Sequence, residues 1–172
     1  LEIYSIKSNG NVYNYGNFVF RNNRLTNFAN GGIYLQGLQN LEITKTDVLS
    51  GFSTDSRGLQ GVYLKDVTGN ILIQKNHIYL VDGKKGGKQG LYLDGMKGTA
   101  MQRGSIMNNM ISCNSTAAAG SVTPYGIYMK DCEYINVLYN SVRVYSGTNT
   151  SSRAFIAEIS NNGNSRELQL MN

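Results

Sequence analysis

A four-residue stretch that returns along the chain limits its fold more than any other feature. Gly32-Ile33-Tyr34-Leu35 comes back as Gly61-Val62-Tyr63-Leu64, Gly90-Leu91-Tyr92-Leu93 and Gly126-Ile127-Tyr128-Met129. Ala154-Phe155-Ile156-Ala157 is a weaker fifth copy, and Asn11-Val12-Tyr13-Asn14 an eroded first one. An apolar alternation follows each copy and ends in a polar turn before another apolar residue. Asn23 precedes Leu25, Thr46 precedes Val48, Asn76 precedes Ile78, Asn109 precedes Ile111 and Asn140 precedes Val142. Two signals repeating in one order at this spacing mark a repeat architecture.

The tyrosine slot falls at Tyr13, Tyr34, Tyr63, Tyr92 and Tyr128, with Phe155 read as its last member, at intervals of 21, 29, 29, 36 and 27 residues. Each interval holds about three short runs of period two, and no helical period of 3.6 appears. A solenoid of helices is thereby excluded. What fits is a parallel β-helix, in which each strand pairs with its equivalent one coil away, about 4.8 Å along the axis. The expected fold is all-β: one domain over residues 1–172, a parallel β-helix of about six coils. Residues 1–7 and 168–172 alternate like strands in progress. The chain is therefore expected to be a piece of a longer one, with contacts from neighbouring sequence, a partner or another copy at open ends.

Composition agrees. Only 16% of residues are charged and 20 are glycine, which suits short strands and tight turns. The net charge of +5 favours acidic partners such as uronate polysaccharides, although the basic residues are scattered apart from Lys84, Lys85 and Lys88. The segment from Gly83 to Lys88 lacks the spacing of a phosphate-binding loop and is read as solvated. Cys113 and Cys132 are too few for a disulfide framework and match no metal motif. Cys132 falls in the slot of Leu38, Val67 and Met96, a core position. No cofactor is implied, and no apolar run is long enough for a membrane span.

The glycine–tyrosine motif and the Asn-x-apolar turns resemble the right-handed parallel β-helix proteins of the pectin-lyase-like group over nearly the whole chain. The resemblance implies a right-handed coil and a glycan-related role. It does not choose among lyases, hydrolases, epimerases, tailspikes and adhesins. The polygalacturonase-like elements Asn-Thr-Asp, Asp-Asp, His-Gly and Arg-Ile-Lys are missing, as is the Asp-Pro-His of mannuronan epimerases, since Pro124 is followed by Tyr125. No catalytic residue is carried over.

Strand alternation assigns faces. Tyr34, Tyr63, Tyr92 and Tyr128 should point outward and stack, with Gln36, Lys65, Asp94, Lys130 and Glu158 as a polar row beside them. Asn23, Asn76, Asn109 and Asn140 should turn inward at a bend and satisfy the backbone there, a structural ladder. The tyrosine row either only stabilises the sheet or is a platform for sugar rings, with Lys65 and Lys130 as ligand-binding partners. Segments 50–60, 82–89, 113–125 and 145–153 all leave the stem just before the tyrosine strand and are positioned to wall a cleft.

Chemistry is harder to find. A glycosidase needs two carboxylates about 5–10 Å apart. Asp94 and Glu158 lie two coils, roughly 10 Å, apart with Lys130 between them, and the row Lys65–Asp94–Lys130–Glu158 is more simply a ladder of salt bridges. A lyase needs charge neutralisation and a base, for which Lys65 or Lys130 beside Tyr92 or Tyr128 has suitable residue types. His77, the only histidine, takes an outward slot near Asp47 and is read as idle. Asn114-Ser-Thr116 and Asn149-Thr-Ser151 fit the glycosylation pattern. The expected function is a secreted or cell-surface module that binds or processes polysaccharide, an acidic one being favoured by the net charge. Neither nucleic acid nor a membrane is an expected partner. The alternatives are a lyase acting on uronate glycans and a structural stalk, adhesin or tailspike-type stem.

Overall fold

A computed structural model describes residues 15–28, 31–50, 59–81, 88–115, 123–146, 151–158 and 167–171, and every regular element among them is a strand. β1 (Tyr15–Arg21) and β2 (Arg24–Thr26) begin the stack. The first two complete turns are β3 (Gly31–Gln36), β4 (Leu38–Thr44), β5 (Asp47–Leu49) and β6 (Leu59–Lys65), β7 (Thr68–Gln74), β8 (His77–Val81). The next two are β9 (Lys88–Asp94), β10 (Gly104–Met107), β11 (Met110–Ser115) and β12 (Tyr125–Lys130), β13 (Ile135–Leu138), β14 (Ser141–Ser146). β15 (Arg153–Glu158) and β16 (Gln169–Met171) end it. Every third strand pairs in parallel, giving a tyrosine sheet β3-β6-β9-β12-β15, a middle sheet β1-β4-β7-β10-β13-β16 and a third sheet β2-β5-β8-β11-β14. The chain is a parallel β-solenoid of four complete turns flanked by two partial ones, against about six coils expected. Among the described residues no helix is long and apolar enough to cross a membrane.

Equivalent slots lie in register. Ile33, Val62, Leu91 and Ile127 stack in one inward column, and Leu35, Leu64, Leu93 and Met129 in another. All eight are buried, and Val48, Ile78, Ile111, Ile43, Ile73 and Ile106 close the core from the other sheets. The register corrects the last tyrosine slot. Phe155 pairs with Ile127 and faces the core, and Ile156 pairs with Tyr128. The motif glycine is required by close approach: a Cβ on Gly61 would lie 2.6 Å from Ile78 and 2.7 Å from the Gly90 carbonyl oxygen. Side chains of the third sheet reach the strand backbone at this slot.

The bends are built from left-handed residues. Gly37, Asp66, Gly95 and Asp131 turn the tyrosine sheet into the middle sheet with φ between 51° and 69°. Asn22, Lys45, Lys75, Asn108 and Tyr139 turn the middle sheet into the third with φ between 50° and 56°. Each residue that follows in the second set occupies the asparagine slot. Asn76 donates its amide to the Ile43 carbonyl at 2.9 Å and to Asn109 Oδ1 at 3.0 Å, and Asn109 donates to the Ile73 carbonyl at 3.0 Å and to Asn140 Oδ1 at 2.9 Å. The backbone N–H groups of Thr46, Asn76 and Asn109 donate to the amide oxygen one coil on. A buried bend would otherwise leave these groups unpaired. Asn23 departs from the expected ladder. Thr46 occupies the next slot and has no amide to offer, and Asn23 is exposed and donates to its own strand's Arg21 carbonyl.

Two further assignments change or stand. Lys88, read as part of a solvated loop, is buried at 2% exposure in the slot of Leu59. Cys132 is buried in the slot foreseen for it, and Cys113 is buried too; burial pushes both thiols up to about 12, which leaves them inert. The insertion at 97–103 is anchored by Arg103, which donates from Nε to Asn136 Oδ1 at 2.7 Å and from Nη1 to Glu167 Oε2 at 2.9 Å, tying three successive strands of the middle sheet. Residues 1–7, Tyr13, Asn149 and the central parts of the four loop segments lie outside the described residues.

Asn109→Ala should remove about 3 kcal/mol of stability, because it strands the Asn76 N–H and amide and the Ile73 carbonyl inside the bend. Asn23→Ala should change stability little. Urea unfolding of the two variants checks this; equal losses would contradict the ladder.

Candidate functional site: the tyrosine sheet

Three outward columns cover the tyrosine sheet. The central one is Tyr34, Tyr63, Tyr92 and Tyr128, ending at Ile156. Their rings stack face to face, with centroids 4.7 Å, 4.8 Å and 4.8 Å apart and planes within 8° of parallel. The in-register strands impose that spacing, which is one coil. Stacking turns the ring faces toward each other. The column therefore presents ring edges and hydroxyls to solvent, a row of phenols and not an open platform of faces.

On one side lies the expected polar column, Gln36, Lys65, Asp94, Lys130 and Glu158, in register throughout. It is not held together as a ladder of salt bridges: Lys65, Asp94 and Lys130 form no ion pair with one another among the described residues. The contacts run within a strand or diagonally to the next coil instead. Tyr34 donates to Gln36 Oε1 at 3.3 Å, Gln36 donates to Asp66 Oδ2 at 3.3 Å, and Tyr128 donates to Glu158 Oε2. On the other side runs a column that sequence reasoning passed over: Gln60, Gln89, Tyr125 and Arg153. Gln60 donates to Gln89 at 2.8 Å, and the Tyr125 ring packs 5.6 Å from Tyr128. Its signal was legible, since each member immediately precedes the glycine slot.

The electrostatics bear on chemistry. Burial, followed by neighbouring phenols and the Asp94 and Asp66 carboxylates, pushes the Tyr63 phenol up to about 12. Burial and then Asp94 raise Tyr92, and burial and then the hydrogen bond to Glu158 raise Tyr128. These phenols are held protonated at neutral pH and act as donors. His77 lies on the third sheet, 3.8 Å from Asp47, in the outward slot foreseen for it and away from the tyrosine columns.

The four long connections, after β5, β8, β11 and β14, each lead from the third sheet to the next tyrosine-sheet strand, as does the short one after β2. Comparison with family models, with curated proteins and with solved structures found no match for this chain.

The raised Tyr63 value has a pH consequence. Its phenol titrates near 10 when unfolded and near 12 in the fold. Stability from this group is complete below pH 10 and is lost as pH rises toward about 12, because only the folded state then retains the proton. Tyrosinate absorbance against pH should show a fraction of the 12 tyrosines ionising late. A single transition near 10 for all of them would contradict the stacked column.

Proposed function

We propose that this chain is a rigid, non-catalytic polysaccharide-binding module, built on a β-helix of the pectin-lyase-like kind and working outside the cell. The observation that carries this reading is the set of three outward columns repeating in register at one coil. The rise per coil is close to the length of one pyranose residue. An extended glycan laid along the stem would meet a phenol hydroxyl, an amide or charge on one flank, and a second polar group on the other at each step. Hydrogen bonds to hydroxyls from such fixed donors cost little ordering, because the strands already hold them. Lys65 and Lys130 would favour an acidic polymer.

The lyase alternative needs a base that gives up its proton near neutral pH. The raised phenols of Tyr92 and Tyr128 weigh against that role. The structural-stem alternative has one observation in its favour: the ring faces are consumed by stacking, so the column already has a sufficient structural reason to exist.

Affinity electrophoresis in uronate and neutral polysaccharides separates these readings. Retarded migration in a uronate gel is expected, with neither unsaturated-uronate absorbance nor new reducing ends. Lys65→Ala combined with Lys130→Ala should weaken that retardation about tenfold, given roughly 0.7 kcal/mol per exposed charge contact. Absorbance that rises with time would establish the lyase. No retardation in any gel would leave the stem.

A further inference from the structure

We propose that the outer face of the third sheet carries a separate sugar-binding site, which takes an acidic pyranose with its ring on Tyr79 and its carboxylate on Arg143. This site lies on a different face from the tyrosine columns and stands or falls independently of them.

Register places Tyr79, Ser112 and Arg143 in one outward column, on β8, β11 and β14. His77, Met110 and Ser141 form the column beside it. A groove of about 370 Å³ runs over these six residues, within the size range of small-molecule sites. Ser112 creates it. Its short side chain lies between two long ones, so Tyr79 and Arg143 stand as walls two strand spacings, roughly 9.6 Å, apart with a hydroxyl on the floor.

The wall on one side is an aromatic with an open face. Tyr79 has Leu49 and Ser112 as its neighbours one coil away on either side, so no ring covers it from the adjacent strands. Its ring contact is with His77, tilted by 40° at 6.3 Å. Tyr79 is 38% exposed and Met110 58%, and Tyr145 on the same sheet is 52% exposed. Three large apolar or aromatic side chains left in water on one face is the kind of patch that marks a binding surface. This is what the stacked tyrosines lack. The C–H face of a pyranose can lie on Tyr79, with the edge of the groove at Met110.

Arg143, on the opposite wall, is uncommitted. It makes no hydrogen bond or ion pair among the described residues. A free guanidinium above a groove offers two parallel donors to a carboxylate, which a lysine cannot match. The Ser112 and Ser141 hydroxyls and the His77–Asp47 pair at 3.8 Å supply donors and acceptors for ring hydroxyls. An aromatic face, a bidentate cation and a hydroxyl floor together describe a sugar that carries a carboxylate.

Isothermal titration with a short oligogalacturonate, a neutral cello-oligosaccharide and a sulfated oligosaccharide of similar length tests the site. The oligogalacturonate should bind, and the neutral sugar should bind about tenfold more weakly or not at all. Arg143→Gln and Tyr79→Ala should each weaken oligogalacturonate binding about tenfold. Both positions are exposed, so an unchanged circular dichroism spectrum is expected and confirms the fold. In a Lys65→Ala, Lys130→Ala background, where the tyrosine-sheet contacts are weakened, Arg143→Gln should still lower the remaining oligogalacturonate affinity about tenfold. The inference is overturned if the oligogalacturonate does not bind. It is also overturned if the neutral sugar binds equally, or if only the sulfated sugar binds. Loss of binding in the lysine variant with none in Arg143→Gln or Tyr79→Ala would overturn this site while supporting the tyrosine-sheet one.

Discussion

Hydrogen bonding between equivalent residues of successive coils is the constraint on which everything else here rests. Each strand pairs with its counterpart one turn away and in parallel, so whatever occupies a slot in one coil sits beside the same slot in the next. A sequence that repeats a residue builds a column of it. Isoleucine and leucine columns make the core, tyrosines make the stacked column, and glycines let side chains of the third sheet reach the strand backbone. The asparagines carry the same logic into the bend, where a side chain must do what the strand backbone no longer can. Their amides bond up and down the axis and close an arrangement that would otherwise bury unpaired carbonyl and N–H groups.

Register also explains why two aromatic faces on one stem have different chemistry. Where tyrosine repeats in every coil, each ring covers the next, and the faces are lost to solvent while the hydroxyls remain. Where the repeat breaks, as at Leu49, Tyr79, Ser112 and Arg143, an aromatic stands alone beside a gap. On the reading proposed above, the regular face offers its periodic row of donors to a long polymer and the irregular face its local groove to one sugar unit. Raised phenol values on the regular face fit hydrogen-bond donation and oppose proton abstraction.

Much of this was legible in the residues. The tyrosine column, the inward placement of Cys132, the outward slot of His77 beside Asp47 and the asparagine bend all follow from strand alternation and a repeat. What was not legible depended on one-residue offsets or on neighbours in space. Phe155 sits beside Ile156 in the weak fifth copy, and only pairing with β12 decides which of them takes the tyrosine slot. Asn23 has the right residue type, but Thr46 in the next coil removes its partner. Lys88 ends a run of lysines and glycines that looks solvated, yet it occupies a leucine slot. Left-handed residues at Lys45, Lys75 and Tyr139 carry no sequence signal of their own, because the bend forces their φ and the side chains merely tolerate it. The groove at Ser112 required the register of three strands before a serine became a gap.

The most direct test of in-register stacking is oxidative cross-linking of introduced cysteine pairs on the tyrosine sheet. Lys65 and Asp94 are register partners, and adjacent strands hold their Cα atoms about 4.8 Å apart, within disulfide range. Lys65 and Tyr92 lie on the same face two residues out of register, at about 8 Å, beyond that range. Buried Cys113 and Cys132, with thiols pushed up to about 12, should not compete. The account predicts rapid disulfide formation in the Lys65→Cys, Asp94→Cys variant and little in the Lys65→Cys, Tyr92→Cys variant. Faster cross-linking of the second pair would mean a shifted register, and the columns built on it would not exist.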